Sequence, residues 1–158
     1  RHYCYWLLTA AMRGFTRVEL LMVIVIIGIL AAVVGPRFFD RQVFDERLFF
    51  EESLAAVRYA QKLAVASGCP IRAQVNSAGF ALNYAAACGV QAAGAAVASP
   101  SGGAFAAAKP EAVSLSSALD VTFNSLGAAT GAANNLNVGG GAFVLSVNLS
   151  TGFIESTP

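Results

Sequence analysis

The chain has 158 residues, a formal net charge of +1 at pH 7, and 12% charged residues against 56% hydrophobic ones. So little charge leaves no broad basic face for nucleic acid, and we predict no nucleic-acid partner. His2 is the only histidine and the three cysteines lie far apart, so no metal site is expected. The few charges after Gly68 form no nucleophile–base or carboxylate pair. We therefore predict neither an enzyme nor a cofactor.

An apolar segment near the N-terminus carries one carboxylate at its edge. Residues 20–36 contain no charged side chain, and Glu19 stands immediately before them. A carboxylate at a hydrocarbon boundary is unfavourable unless a cation satisfies it, so Glu19 is a candidate functional residue. As a helix, residues 20–36 would rise about 25 Å, slightly less than the roughly 30 Å hydrocarbon core, and flanking residues could extend them. Arg13 and Arg17 precede the segment, which predicts a cytoplasmic N-terminus.

Residues 14–20 read Gly-Phe-Thr-Arg-Val-Glu-Leu and lead into this apolar run. The pattern resembles the N-terminal signature of type IV pilins and type II secretion pseudopilins. The resemblance implies a leader peptide over residues 1–14, removed after Gly14 by a prepilin peptidase that also N-methylates Phe15. It implies that Glu19 pairs with the methylated amine of a neighbouring subunit. The implied partners are other pilin or pseudopilin subunits, the peptidase/N-methyltransferase, the inner-membrane assembly platform and the membrane.

Arg17 departs from this signature, which usually has leucine or another apolar residue at that position. Its side chain could extend to the cytoplasmic interface, or could pair with Glu19 and weaken the pairing with a neighbour. The departure favours a minor subunit over the abundant building block. A plain membrane anchor or a cleaved secretory signal is the alternative for the same segment, because residues 31–35 loosely match a signal peptidase site.

The apolar segment, taken as a transmembrane and assembly helix over residues 15–36, is expected to continue as an amphipathic helix over residues 37–68. Gly35 and Pro36 should kink the junction, because proline lacks a backbone donor and clashes with the preceding turn. Ser67-Gly68 predicts the end of the second helix. The residues expected on its apolar face are Phe44, Leu48, Leu54, Val57 and Ala64. Those expected on its polar flank are Asp45, Glu46, Arg47, Glu51 and Glu52.

Beyond residue 70 the apolar side chains alternate with a period of two, which predicts half-buried strands. The alternation covers residues 80–84, 119–123 and 143–149, and turns are predicted at 76–79, 125–127 and 150–152. The phrases at 121–127 and 145–154 resemble strand motifs of the minor pseudopilin family GspH, called FimT in pilus systems. The predicted fold is α+β and pilin-like, with the long helix packed on a small antiparallel β-sheet domain over residues 69–158.

The segment 85–108 consists mostly of Ala, Gly, Ser and Val and has no charge. It is predicted to be a flexible excursion between strands, and a partner-binding loop is the alternative. If Ser77 and Ala78 form the tip of the preceding hairpin, Cys69 and Cys88 face each other. A disulfide between them would close a loop of about twenty residues in an oxidising compartment such as the periplasm. Two buried free thiols are the alternative.

Two classes of function remain. The first is a structural minor pilin or pseudopilin. It would lie in the bacterial inner membrane with its C-terminal domain in the periplasm, and then join a type IV pilus or a type II secretion pseudopilus. An MSHA-type minor pilin is one such subunit. The second is a membrane-anchored or secreted β-rich binding module, such as an adhesin, that uses residues 85–108 and joins no polymer.

Overall fold

The computed structural model describes residues 15–34 and 41–157, which belong to two compact units divided after Asp40. The first unit contains helix α1 (Arg17–Val34), and the second contains helix α2 (Arg41–Ser67) and the β-strands. The predicted leader over residues 1–14, the cleavage position at Gly14 and the kink at Gly35 and Pro36 lie outside the described residues. The α+β composition with antiparallel pairing is confirmed.

The β-strands of the second unit form two antiparallel sheets. In the first sheet the strand order is β3-β2-β1-β4-β5, and in the second it is β6-β7-β8. The five strands of the first sheet are β1 (Ile71–Asn76), β2 (Gly79–Tyr84), β3 (Ala106–Ala108), β4 (Leu119–Phe123) and β5 (Ala129–Ala133). The three strands of the second are β6 (Asn135–Val138), β7 (Phe143–Val147) and β8 (Ile154–Thr157).

The predicted period of two is confirmed in an inner strand of each sheet. Strands β4 and β7 alternate strictly between buried and half-buried side chains, with an apolar residue at every buried position. Strands β1 and β2 pair across the turn formed by Ser77 and Ala78, with Asn76 opposite Gly79. The predicted turns after β4 and β7 are also present, because β5 follows the first and β8 follows the second.

Helix α2 packs one face on both sheets, but part of that face was predicted wrongly. Leu54, Val57 and Ala64 are buried as expected. Phe44 and Leu48 are 66% and 48% exposed, whereas the buried aromatic residues are Phe49 and Phe50. The ring of Phe49 lies 6.3 Å from that of Phe80 in β2, and the ring of Phe50 lies 5.5 Å from that of Phe143 in β7. These contacts with two sheets fix the rotation of the helix about its axis.

The segment 85–108 is held to β2 by backbone hydrogen bonds, although most of its residues are exposed, and its flexibility stays a prediction. Val97 is 1% exposed, its N–H donates to the Leu82 carbonyl at 2.9 Å, and its own carbonyl accepts from the Phe105 N–H at 2.7 Å. The Phe105 ring stacks on Tyr59 of α2 at a centroid distance of 4.8 Å. A few large side chains therefore anchor a segment of otherwise small residues, and its last three residues form the edge strand β3.

Candidate assembly site

Helix α1 begins with a side-chain cap that involves the candidate residue Glu19. The Glu19 N–H donates to the Thr16 hydroxyl at 3.2 Å, and the Leu20 N–H donates to the Thr16 carbonyl at 3.1 Å. A threonine followed three residues later by glutamate is the spacing of a capping box. A carboxylate in the first turn is also favoured by the helix dipole. The Thr16–Glu19 spacing therefore helps to start α1 whatever further role Glu19 has.

The two residues proposed to meet during assembly are accessible in a single chain. Phe15 is 74% exposed, and Glu19 is exposed as well. Within residues 15–34 and 41–157 the only ion pair joins Arg72 to Asp120, so Arg17 and Glu19 form none with each other. The carboxylate can thus accept a cation from outside the chain. The assembly roles of Phe15 and Glu19 stay predictions.

The apolar side chains of α1 are exposed along the whole helix. Residues 15–32 are all exposed, and the large hydrophobic ones from Leu20 to Leu30 each expose between 43% and 63% of their surface. A continuous apolar surface of this size marks a contact with other molecules. Among the described helices, none has the length and hydropathy of a membrane-crossing segment.

Cys69 and Cys88 form the predicted disulfide, with their Cα atoms 5.8 Å apart. Cys69 follows the C-terminal end of α2, and Cys88 lies in the loop after β2. At that loop, Cys88 and Gln91 exchange backbone hydrogen bonds of 2.9 and 3.0 Å across a tight turn. The bridge therefore ties the segment 85–108 to the end of the helix.

Gln61 holds two loops against α2, a role that no local sequence pattern indicates. Its side-chain amide donates to the Gly127 carbonyl at 2.9 Å and to the Gly152 carbonyl at 2.8 Å. These glycines lie in the turn before β5 and in the turn before β8. A Cβ atom on Gly152 would lie 1.8 Å from the Gly127 carbonyl oxygen, so the close approach requires glycine. One glutamine thus joins both sheets to the helix.

Glu46, which was predicted on the polar flank of α2, is buried and only 6% exposed. Its Oε1 atom accepts from the Ser114 hydroxyl at 2.8 Å, from the Gln42 side chain at 3.3 Å and from the Ser114 N–H at 3.4 Å. A buried carboxylate is tolerated when donors of this kind satisfy it. The group attaches the N-terminal half of α2 to the segment between β3 and β4. Since Ser114 is distant in sequence, local spacing could not have shown this.

A charge pair lies on the face of the first sheet that points away from α2. Arg72 donates to Asp120 from Nε at 2.8 Å and from Nη2 at 2.5 Å. These hydrogen bonds hold the pKa of the Asp120 carboxyl below its ordinary value, and the positive charge of Arg72 and a bond from Gln74 act in the same direction. Both side chains are more than a third exposed, at 45% and 36%, so the pair adds little stability.

The described ranges 15–34 and 41–157 hold no group of three or more His, Cys, Asp or Glu side chains placed to bind a metal ion. The prediction that the chain is not an enzyme stays a prediction. The described residues form an exposed apolar helix with an accessible carboxylate at its start, followed in sequence by an α+β unit that contains one disulfide.

Comparison with curated proteins finds the type IV narrow pilus major component PilA5 of Thermus thermophilus, which is 45% identical to this chain over 65 residues. That relative is a type IV pilus component. The match covers 40% of this chain and 56% of the relative, so the chain spans about half the length of the curated protein it matches. No family profile matches the chain. No solved structure matches it either. The local identity supports the resemblance to type IV pilins, and it leaves the GspH or FimT subtype a prediction.

Proposed function

We propose that this protein is a structural subunit of a type IV pilus. The observation that carries the proposal is the exposed apolar surface of α1, which has a single carboxylate, Glu19, in its first turn. Such a surface requires lipid or other apolar helices to cover it, and an accessible carboxylate at its end requires a cation. The local identity to a pilus component supports the same conclusion.

In this proposal a prepilin peptidase cuts after Gly14 and N-methylates the new terminus at Phe15. The apolar segment 15–36 lies in the inner membrane before assembly, with the second unit in the periplasm, where the disulfide can form. Assembly, with the help of an inner-membrane platform, moves the apolar surface from lipid to neighbouring helices. Glu19 then accepts the charged amine of a neighbouring Phe15. Removing one partner of a buried ion pair costs roughly 3–5 kcal/mol, which is enough to prevent stable docking.

The finer part of the proposal is that the subunit is a minor one of the GspH or FimT type. Arg17 supports this, because a cation two residues from Glu19 would lower the attraction for a neighbour's amine in a shaft built from many copies. The strand phrases at 121–127 and 145–154 support it as well. A minor subunit should be present at a few copies per filament, which quantitative mass spectrometry of purified pili would measure. Recovery with secretion-system components instead would indicate a pseudopilus.

Two experiments test this function: identification of the mature N-terminus, and a substitution of Glu19. Mass spectrometry of the protein from its native membrane should show an N-methylated Phe15 terminus. Glu19→Gln should leave membrane insertion intact and abolish recovery in sheared pili, because the amide keeps the size of the side chain and removes its charge. Glu111→Gln is the matched control, since Glu111 is exposed and lies in the second unit. An uncut chain that is absent from sheared pili would favour an anchored or secreted adhesin. A Glu19→Gln protein that enters pili normally would refute the assembly role of Glu19.

A further inference from the structure

The outer face of the first sheet, which points away from α2, carries no large apolar side chain. Its outward positions on β1, β2 and β4 form what we name the polar face. They are Arg72, Gln74, Asn76, Ala81, Asn83, Asp120 and Thr122. One face of an antiparallel sheet is commonly solvated, so polarity alone assigns no ligand. Lysine and glutamate, which are abundant on ordinary solvated surfaces, are absent from this face.

Two open recesses meet on the polar face, because Gln74 lines both of them. One has a volume of about 380 Å³ and lies where Arg72, Asn83 and Thr122 are side by side on three paired strands. The other has a volume of about 350 Å³ and extends along β1 to Asn76. Between Arg72 and Asn76 the strand rises about 14 Å. A ligand that fills both recesses is therefore elongated.

The segment 85–108 borders both recesses. Gly94 lines the larger one, and the three alanines of β3 line the other. The segment is attached to β2 at this point, since the Gly94 N–H donates to the Tyr84 carbonyl at 2.7 Å and the Asn83 side-chain amide donates to the Gly94 carbonyl at 3.0 Å. Residues 85–108 contain no charged side chain, so this border offers no charge to a ligand.

Hydrogen bonds within the polar face hold its side chains in place. Arg72 donates to both oxygens of Asp120 through Nε and Nη2, and the Gln74 amide nitrogen donates to the same carboxylate at 3.3 Å. The amide oxygen of Gln74 and the Nη1 N–H groups of Arg72 are not used in these bonds and can serve a ligand. Side chains that are already ordered lose less conformational entropy when a ligand binds.

The chemistry of the polar face favours one class of ligand. Arg72 is paired with Asp120, so the face offers no net charge to a charged polymer such as a nucleic acid. Protein interfaces usually centre on large apolar or aromatic side chains, which this face lacks. An extended peptide pairs through its backbone with the edge of a sheet rather than with its face. A neutral saccharide fits, because its hydroxyl groups donate and accept hydrogen bonds and its C–H groups can lie on alanine.

We propose that the polar face binds a neutral oligosaccharide. Its hydroxyl groups bind Gln74, Asn83 and Thr122, and its C–H groups lie over the alanines of β3. The site belongs to the second unit alone, so it does not rest on the proposed function in pilus assembly.

Titration of the purified full chain tests the proposal. The protein is kept in a detergent without a sugar headgroup, because such a headgroup would compete for the site. The probes are cellohexaose, chitohexaose and maltohexaose, and binding is measured by saturation-transfer NMR and calorimetry. At least one probe should bind with a Kd below about 1 mM. Acidic hexagalacturonate and a short single strand of DNA should bind more weakly. If no neutral probe binds, or if an acidic one binds as tightly, the proposal is overturned.

Two substitutions of nearly constant volume test the location of the site. Gln74→Met and Thr122→Val each remove hydrogen-bonding groups and should weaken binding at least about threefold. Thr130→Val is the matched control, since Thr130 pairs with Thr122 from β5 and lies outside both recesses. It should bind like the unsubstituted protein. Thermal unfolding of each variant shows whether the fold is kept. Binding that neither Gln74→Met nor Thr122→Val weakens would overturn the proposal.

Asp120→Asn tests the charge argument. It leaves Arg72 without its carboxylate, so hexagalacturonate should bind this variant more tightly than it binds the unsubstituted protein. An unchanged affinity would mean that Arg72 does not face the ligand, which would overturn the assignment. Self-association in sedimentation that Gln74→Met abolishes would instead assign the face to a second copy, and would also overturn it. Because none of these measurements involves processing or pili, their failure leaves the proposed function standing.

Discussion

Removing the disulfide between Cys69 and Cys88 should lower the free energy of unfolding of the second unit by about 3 kcal/mol. The two cysteines are 19 residues apart. In the chain-entropy model a closed loop of this length removes roughly 11 cal/mol/K from the unfolded chain, or about 3 kcal/mol at 25 °C. Cys69 is only 7% exposed, so replacing its sulfur also removes some packing and adds to the loss.

The assay is urea unfolding of the full chain in detergent, followed by tyrosine fluorescence, with the double variant Cys69→Ala/Cys88→Ala. The reference protein carries Cys4→Ser so that no free thiol can exchange with the bridge. The reference protein in excess reductant is the second control, because it loses the bridge without any substitution. A loss below about 1 kcal/mol at an unchanged m-value would refute the loop-entropy reasoning. It would mean that the segment 85–108 stays ordered through its hydrogen bonds and the contacts of Val97.

The other predictions concern a close approach and a charge pair. Gly152→Ala should lower the free energy of unfolding, measured by thermal unfolding, by more than about 2 kcal/mol, because the new Cβ would lie 1.8 Å from the Gly127 carbonyl oxygen. Gly140→Ala is the control, because Gly140 has a similar φ of +66° and open space around it. This variant should lose only about 1 kcal/mol of the free energy of unfolding, the strain of a left-handed backbone conformation at alanine. Arg72→Gln should cost at most about 1 kcal/mol at pH 7, since the pair is exposed. The folded-state pKa of Asp120 is lowered, so this cost should fade as the pH drops below about 4, and a cost independent of pH would contradict the assignment.

Local patterns predicted much of the second unit. Alternating apolar residues predicted β4 and β7, and turn residues predicted the β1–β2 hairpin. Ser67-Gly68 predicted the end of α2, which is at Ser67. The disulfide was predicted from the position of the hairpin turn, because residues equally far from the turn on its two sides face each other. Each of these predictions depends on the geometry of a short stretch of chain, which the sequence encodes directly.

The face of α2 that enters the core could not be chosen in this way. The helix carries apolar residues at helical spacing on two faces, one containing Phe49 and Phe50 and one containing Phe44 and Leu48. The helical spacing of apolar residues does not distinguish these two faces. The two aromatic contacts with β2 and β7 decided the rotation, because they bury large rings against both sheets at once.

The sequence by itself predicted the α+β class of fold and the Cys69–Cys88 bridge, because both follow from residue types at local spacings, and the assembly roles of Phe15 and Glu19 stay predictions from the resemblance. Only the tertiary structure decided that Glu46 is buried against Ser114, that Gln61 joins two turns, and that Val97 anchors the segment 85–108. These contacts join residues far apart in the chain. Their free energy comes from burial and from hydrogen bonds that exist only once the sheets and the helix have met.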